Sequence, residues 1–249
     1  MRALATSSPT FDQDSSHRLH YTQPLNNIAA KTILGFAYLI LLLAIALFAP
    51  AWTFRFWQGL LYLFIFATCS AVITLYLWRH DQALLSRRIS AGPIAEKTRA
   101  QQIIQLFASV GFLAVLVVPS LDRRFSWSHV PLWIVLAGDL LVVLGFYIVF
   151  RVFCVNTFTS ATVEVTEQQT VISVGPYAFV RHPMYSGALV MLLGTPLALA
   201  SWWGLVAFVL MAGVIVIRLL DEEKFLRANL PGYAEYVARV RYRLMPAIW

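Results

Sequence analysis

Side chains able to do chemistry gather in two short stretches of this chain. The first is Gly175-Pro-Tyr-Ala-Phe-Val-Arg-His-Pro-Met-Tyr-Ser-Gly187, which sets Tyr177, Arg181 and His182 just ahead of a long apolar run. The second is Arg218-Leu-Leu-Asp-Glu-Glu223, where that run ends. Arg218 and Glu222 are spaced i, i+4 and so share one helix face. Adjacent glutamates at a membrane exit suit a polar pocket better than a headgroup anchor, because anionic lipids repel them. Such a pair can accept hydrogen bonds from a ligand ammonium or from ribose hydroxyls, while an arginine holds a carboxylate. The plainer reading makes Arg181 a snorkelling anchor, His182 a helix cap, and Arg218 with Glu222 a surface ion pair of little energetic weight.

The elements between these stretches decide whether they meet. From Met184 to Ile217 the chain carries no charge for 34 residues. As one helix that run would reach about 51 Å, far more than the roughly 30 Å hydrocarbon core of a bilayer. It must fold back, and Ser201-Trp-Trp-Gly204 is the natural turn. The hairpin then returns Arg218, Glu222 and Glu223 to the membrane face that holds Arg181 and His182. Pro183 fits the first position of the incoming helix, where its missing N–H costs nothing.

The whole chain reads as an integral membrane protein. Of its 249 residues 59% are hydrophobic and 12% charged, against about 25% charged in soluble domains. The net charge of +7 could suggest nucleic acid, but no stretch resembles a nucleic-acid module, and basic residues in membrane proteins mark cytoplasmic loops. Cys69 and Cys154 lie in apolar segments, form no CxxC pair and read as buried small hydrophobes rather than redox or zinc ligands.

The periodicity predicts an all-α protein of about six transmembrane helices, over roughly 32–50, 57–78, 103–119, 132–151, 184–200 and 203–219. Residues 1–28 read as a polar, disordered N-terminal segment, and 29–249 as one membrane domain. Within it, 32–155 is a four-helix part and 156–249 a core that carries the site. With both termini in the cytoplasm, 16 of the 19 Lys and Arg residues lie inside, a strong positive-inside bias. The β-branched and polar residues 156–174 predict an extended loop or short strand. Asp139, inside the fourth span, predicts a structural hydrogen bond to a neighbouring helix. The tail with Tyr233, Tyr236 and Arg239 reads either as an interfacial amphipathic helix or as a cover folded under the pocket.

The two stretches together carry a signature. Gly175-x-Tyr177-x-x-x-Arg181-His182-Pro183-x-Tyr185-x-Gly187 resembles the isoprenylcysteine carboxyl methyltransferase family. So do Arg218-x-x-x-Glu222-Glu223-x-x-Leu226, Tyr233-x-x-Tyr236 and Arg243-Leu-x-Pro246. Related motifs occur in membrane phospholipid methyltransferases, and a looser version in sterol reductases. The resemblance covers about 156–249 and implies S-adenosylmethionine as cofactor, bound between the last two spans and the tail without a Rossmann domain. It further implies that Gly175, Tyr177, His182, Pro183, Tyr185, Glu222 and Glu223 form the cofactor site, with Arg181 and Arg218 nearer the methyl acceptor. Family members often have histidine where this chain has Gln169, so the acceptor does not follow from the family name.

These readings converge on a membrane methyltransferase that takes S-adenosylmethionine from the cytoplasm and a small or lipidic carboxylate or thiol acceptor from the bilayer, with no metal. The rivals are a phospholipid amine methyltransferase, an NADPH-dependent membrane reductase and a non-catalytic membrane component.

Overall fold

The computed structural model describes residues 25–90, 99–158 and 170–249. Among them the helices are α1 (Leu25–Ala51), α2 (Trp57–His80), α3 (Gln82–Ser90), α4 (Arg99–Phe125), α5 (Leu132–Val155), α6 (Pro183–Ala198), α7 (Gly204–Asn229) and α8 (Tyr233–Arg239). A 3₁₀ turn, Gly175–Ala178, precedes α6. Helices α1, α2, α4, α5 and α7 are long and apolar enough to cross a membrane, and α6 is a shorter apolar helix. Only 17 to 28% of the residues in their apolar windows are buried within the protein. The outward faces therefore meet hydrocarbon, as for Leu34, Tyr38, Leu41 and Ile45 along α1.

The hairpin forms where the charge-free run demands it. α6 starts with Pro183 at its first position and ends at Ala198; the chain turns through 199–203, and Gly204 opens α7. At 16 residues α6 is about 24 Å long, short for a bilayer, while α7 runs to about 39 Å. Arg218 to Glu223 therefore sit on a stretch of α7 level with and beyond the start of α6.

α6 lies closest to α5, and α7 packs on α4. The α5–α6 seam depends on glycine: a Cβ on Gly145 would fall 2.6 Å from the Gly187 carbonyl oxygen, and one on Gly138 would fall 2.3 Å from the Ala198 nitrogen. Small residues let helix backbones touch where lipid supplies no hydrophobic drive for association. The central core joins Leu43 and Leu47 of α1, Tyr62 and Phe66 of α2, Leu116 of α4 and Val142 of α5.

Two expectations change, and a third is settled in part. Asp139 is buried, but neither carboxylate oxygen has a hydrogen-bond partner among the described residues. The nearby Tyr62 hydroxyl is engaged by Thr195 instead, at 3.3 Å. Cys154 is exposed and Cys69 half-buried rather than both buried; on a spanning helix an apolar position can face lipid. Of 156–174, the residues 159–169, which include Gln169, lie outside the described residues, and no strand forms in 156–158 or 170–174. Residues 1–24 lie outside as well.

Candidate active site

Glu223 is the anchor of the first cluster. It is 4% exposed and accepts from Arg181 Nε at 2.7 Å, His182 Nε2 at 3.2 Å and Arg243 Nε at 3.1 Å. One carboxylate from α7 thus joins the segment before α6 to the tail beyond α8. Arg181 has further duties: its Nη1 donates to the carbonyls of Val240 and Arg241, each at 3.1 Å. The backbone repeats the join, with Arg181 N–H donating to Tyr242 O at 2.9 Å and His182 N–H to Arg243 O at 3.0 Å. A buried charge group of this kind holds only when its partners are present and hydrogen-bonded.

Glu222, one residue earlier and turned about 100° around the helix, faces another way. Its Oε2 accepts from the Tyr185 hydroxyl at 2.6 Å. Arg218 Nε donates to that same tyrosine oxygen at 3.2 Å, and Arg218 Nη1 donates to Gln105 Oε1 of α4 at 2.7 Å. The i, i+4 pair therefore shares one face and converges on Tyr185.

The tail closes over these groups. Leu230, Tyr233, Tyr236 and Val240 form a buried cluster, each such apolar group contributing up to about 1.5–3 kcal/mol of burial. The Tyr236 hydroxyl donates to Tyr177 O at 2.8 Å, and Ser186 Oγ donates to Leu244 O at 2.6 Å. Of the two readings of the tail, the cover is the one that the structure adopts.

Between α4, α6, α7 and the tail lies a cavity of about 410 Å³, within the range of small-molecule sites. Tyr177, Arg181, His182, Tyr185, Arg218 and Glu222 line it, as do Tyr233 and Tyr236. Gly175, Pro183 and Glu223 do not. Gly175 takes φ +60 at the head of the 3₁₀ turn, a conformation that L side chains rarely adopt, and so aims Tyr177. Pro183 starts α6, and Glu223 holds the walls together. Deeper in, Ala108, Phe112, Leu192, Met211 and Ile215 make an apolar end.

Among the charged and amide side chains of the wall, three escape a reading of the two motifs: Arg88 of α3, Gln105 of α4 and Asn156 beyond α5. Gln105 carried a signal, being polar and two residues inside a predicted span. Arg88 stood only as one charge in a basic loop.

Several polar groups face the cavity incompletely satisfied. The Tyr233 hydroxyl is buried with no hydrogen-bond partner. The Tyr177 hydroxyl accepts from Asn156 Nδ2 at 2.8 Å, so its own proton remains to be donated. Burial raises the Tyr177 pKa to about 12, the Asn156 bond lowering it and Glu222 raising it. Burial, then the Glu223 and Glu222 charges, likewise raises that of Tyr233. Both therefore stay protonated at neutral pH.

No curated protein matches the chain. Residues 133–231 match the family model described as phospholipid methyltransferase. The matched stretch runs from α5 to the turn before α8, and so holds both polar clusters of the cavity wall but neither Arg88 nor Gln105. Over residues 133–231 the chain is thus similar to the phospholipid methyltransferase family, the membrane methyltransferases that its two motifs resemble.

Proposed function

We propose that the protein transfers a methyl group from S-adenosylmethionine to a small or lipidic acceptor bearing a carboxylate or thiol. The observation that carries this reading is the unpartnered Tyr233 hydroxyl, buried beside a cavity to which the family-matched region contributes Tyr177, Arg181, His182, Tyr185, Arg218 and Glu222. A buried hydroxyl without a partner costs about 1–3 kcal/mol, which a ligand group bonded there would offset. The residues suit this cofactor: Tyr177 and Tyr233 can donate to its carboxylate or ring nitrogens, and Glu222 can accept from its ammonium or ribose hydroxyls. His182 and Tyr185 complete that wall, with Gly175, Pro183 and Glu223 fixing its shape.

When bound, S-adenosylmethionine supplies a methyl group already activated by the sulfonium. What remains for the chain is alignment and exclusion of water. An ionised acceptor needs no general acid. The tail excludes water from above, and the apolar end receives the acceptor from the side of the spans. Arg218 is the arginine we place near the acceptor. Arg181 acts through Glu223 and the tail carbonyls, so we now assign it to positioning the wall rather than to the acceptor itself. The positive-inside bias of the sequence supports a site and termini on the cytoplasmic side, where the cofactor is supplied.

The test is methyl transfer by the purified protein from labelled cofactor to membrane lipids, small thiols and prenyl-cysteine analogues. Label in a base-labile ester or in a thioether supports the reading. Label on the amine of phosphatidylethanolamine moves the protein to the phospholipid rival, and failure to bind the cofactor at all removes the methyltransferase assignment.

A further inference from the structure

Helix α3 brings an arginine to the cavity that neither motif contains. Leu84 and Leu85 bury one face of α3 against Leu77 and Phe153, and the neighbouring Arg87 bonds the Thr157 carbonyl. Arg88 is thereby delivered on an anchored helix, its guanidinium carbon 4.8 Å from the centre of the Phe153 ring. A cation over an aromatic face is held in place without being neutralised.

The Arg88 guanidinium lacks what a buried cation requires. Its Nη1 is sealed from solvent with no hydrogen-bond partner among the described residues, although Arg88 as a residue lines the cavity. No carboxylate among the described residues pairs with it. Arg181 and Arg243, by contrast, both bond Glu223. Burial lowers the Arg88 pKa, yet arginine keeps its charge in proteins. An anion bonded to Arg88 would satisfy the idle donor and balance the charge, as guanidinium groups do for carboxylate and phosphate.

The rest of the cavity says what the anion is attached to. Met211 lies seven residues down α7 from Arg218, about 10 Å, and with Phe112, Leu192 and Ile215 gives the cavity an apolar end. We infer that Arg88 binds the anionic group, carboxylate or phosphate, of an amphiphilic acceptor whose apolar part occupies that end. The inference rests on the reading of this cavity as a methyl-transfer site and assigns its acceptor side.

The test titrates the full chain, purified in an uncharged detergent, with decanoate, decyl phosphate and decanol, and separately with S-adenosylhomocysteine. At least one of the two anionic probes should bind tenfold or more tightly than decanol, and which one identifies carboxylate or phosphate. Arg88→Gln should remove that preference and Arg88→Lys should keep part of it, both with unchanged affinity for S-adenosylhomocysteine. The lysine variant carries the test if the glutamine variant does not fold, because its preference must exceed that of decanol. A preference that survives Arg88→Gln overturns the inference. So does loss of S-adenosylhomocysteine affinity with the preference intact, which would place the cofactor carboxylate on Arg88. A wild-type chain that shows the preference but never binds S-adenosylhomocysteine supports the anion site while removing the methyltransferase reading.

Discussion

Each end of the helical hairpin carries a polar cluster, and the two are built to different specifications. Where α6 passes into α7, Asp122 of α4 accepts from Ser128 N–H at 2.7 Å and from the hydroxyls of Ser128 and Ser201. Ser201 Oγ in turn accepts from Gly204 N–H at 3.0 Å. That clasp ties the hairpin turn to the α4–α5 connection with its donors and acceptors used on one another. At the other end, Glu223 and its three side-chain donors form a comparable knot, but beside it Tyr233 and Arg88, each with a buried polar atom lacking a partner, and Tyr177 line a cavity. A second cavity of about 420 Å³ adjoins the Asp122 clasp, so empty space does not separate the ends. Unfinished hydrogen bonding does, with Gln58 Oε1 the single buried side-chain atom without a partner among the residues of the second wall. A polar network complete in itself holds a fold; one completed only by a guest binds.

The sharpest way to break this contrast is to remove the shared carboxylate. Glu223→Ala leaves Arg181 buried without its partner, a change costing about 3–5 kcal/mol. The melting temperature of the purified protein should fall accordingly, and the tail should become open to proteolysis near Leu230. An unchanged melting temperature would remove Glu223 from the framework.

Glu222→Gln, one residue away, should act on binding instead. Losing a charge-assisted hydrogen bond costs about 1.5–3 kcal/mol, which weakens cofactor affinity roughly 10- to 150-fold. Titration with S-adenosylhomocysteine measures it, and the melting temperature without ligand should move little. Equal stability losses in the Glu222 and Glu223 variants would erase the division between the two glutamates.

Ser201→Ala reverses the pattern at the other end. It takes one donor from buried Asp122, so the protein should lose about 1–3 kcal/mol of stability and keep its cofactor affinity. The smallest change carries the most pointed sign. Tyr233→Phe deletes a hydroxyl that has no partner, so the ligand-free protein should be as stable or slightly more stable. Cofactor affinity should nevertheless drop by up to about tenfold. Lower stability together with unchanged affinity would show that the hydroxyl is not waiting for a ligand.

Much of this arrangement was legible in the residues. A charge-free run too long for one crossing fixes a hairpin, and Ser201 to Gly204 is a polar, small-residue interruption at its middle where it can turn. Pro183 marks the start of α6, and the i, i+4 spacing of Arg218 and Glu222 already puts them on one face. Local rules reached those features because they depend on neighbours in the chain. Arg88 and Gln105 lie more than 90 residues before α7 in sequence, and only packing brings them to the wall. Neither could spacing tell Glu222 from Glu223; the roughly 100° between adjacent helix positions sends one to the cavity and the other to Arg181 and His182. For Asp139, the expectation of a partner failed because the neighbouring hydroxyl of Tyr62 was engaged by Thr195.

The most direct test is to let the protein choose between its two cavities. Purified protein is irradiated with methyl-labelled S-adenosylmethionine, and the labelled peptides are identified with and without excess S-adenosylhomocysteine. Label confined to peptides containing 170–185 or 218–236, and lost on competition, is the expected result. Competable label on peptides around Gln58, Asp122 or His129 would place the cofactor at the clasp end and contradict the assignment of the site.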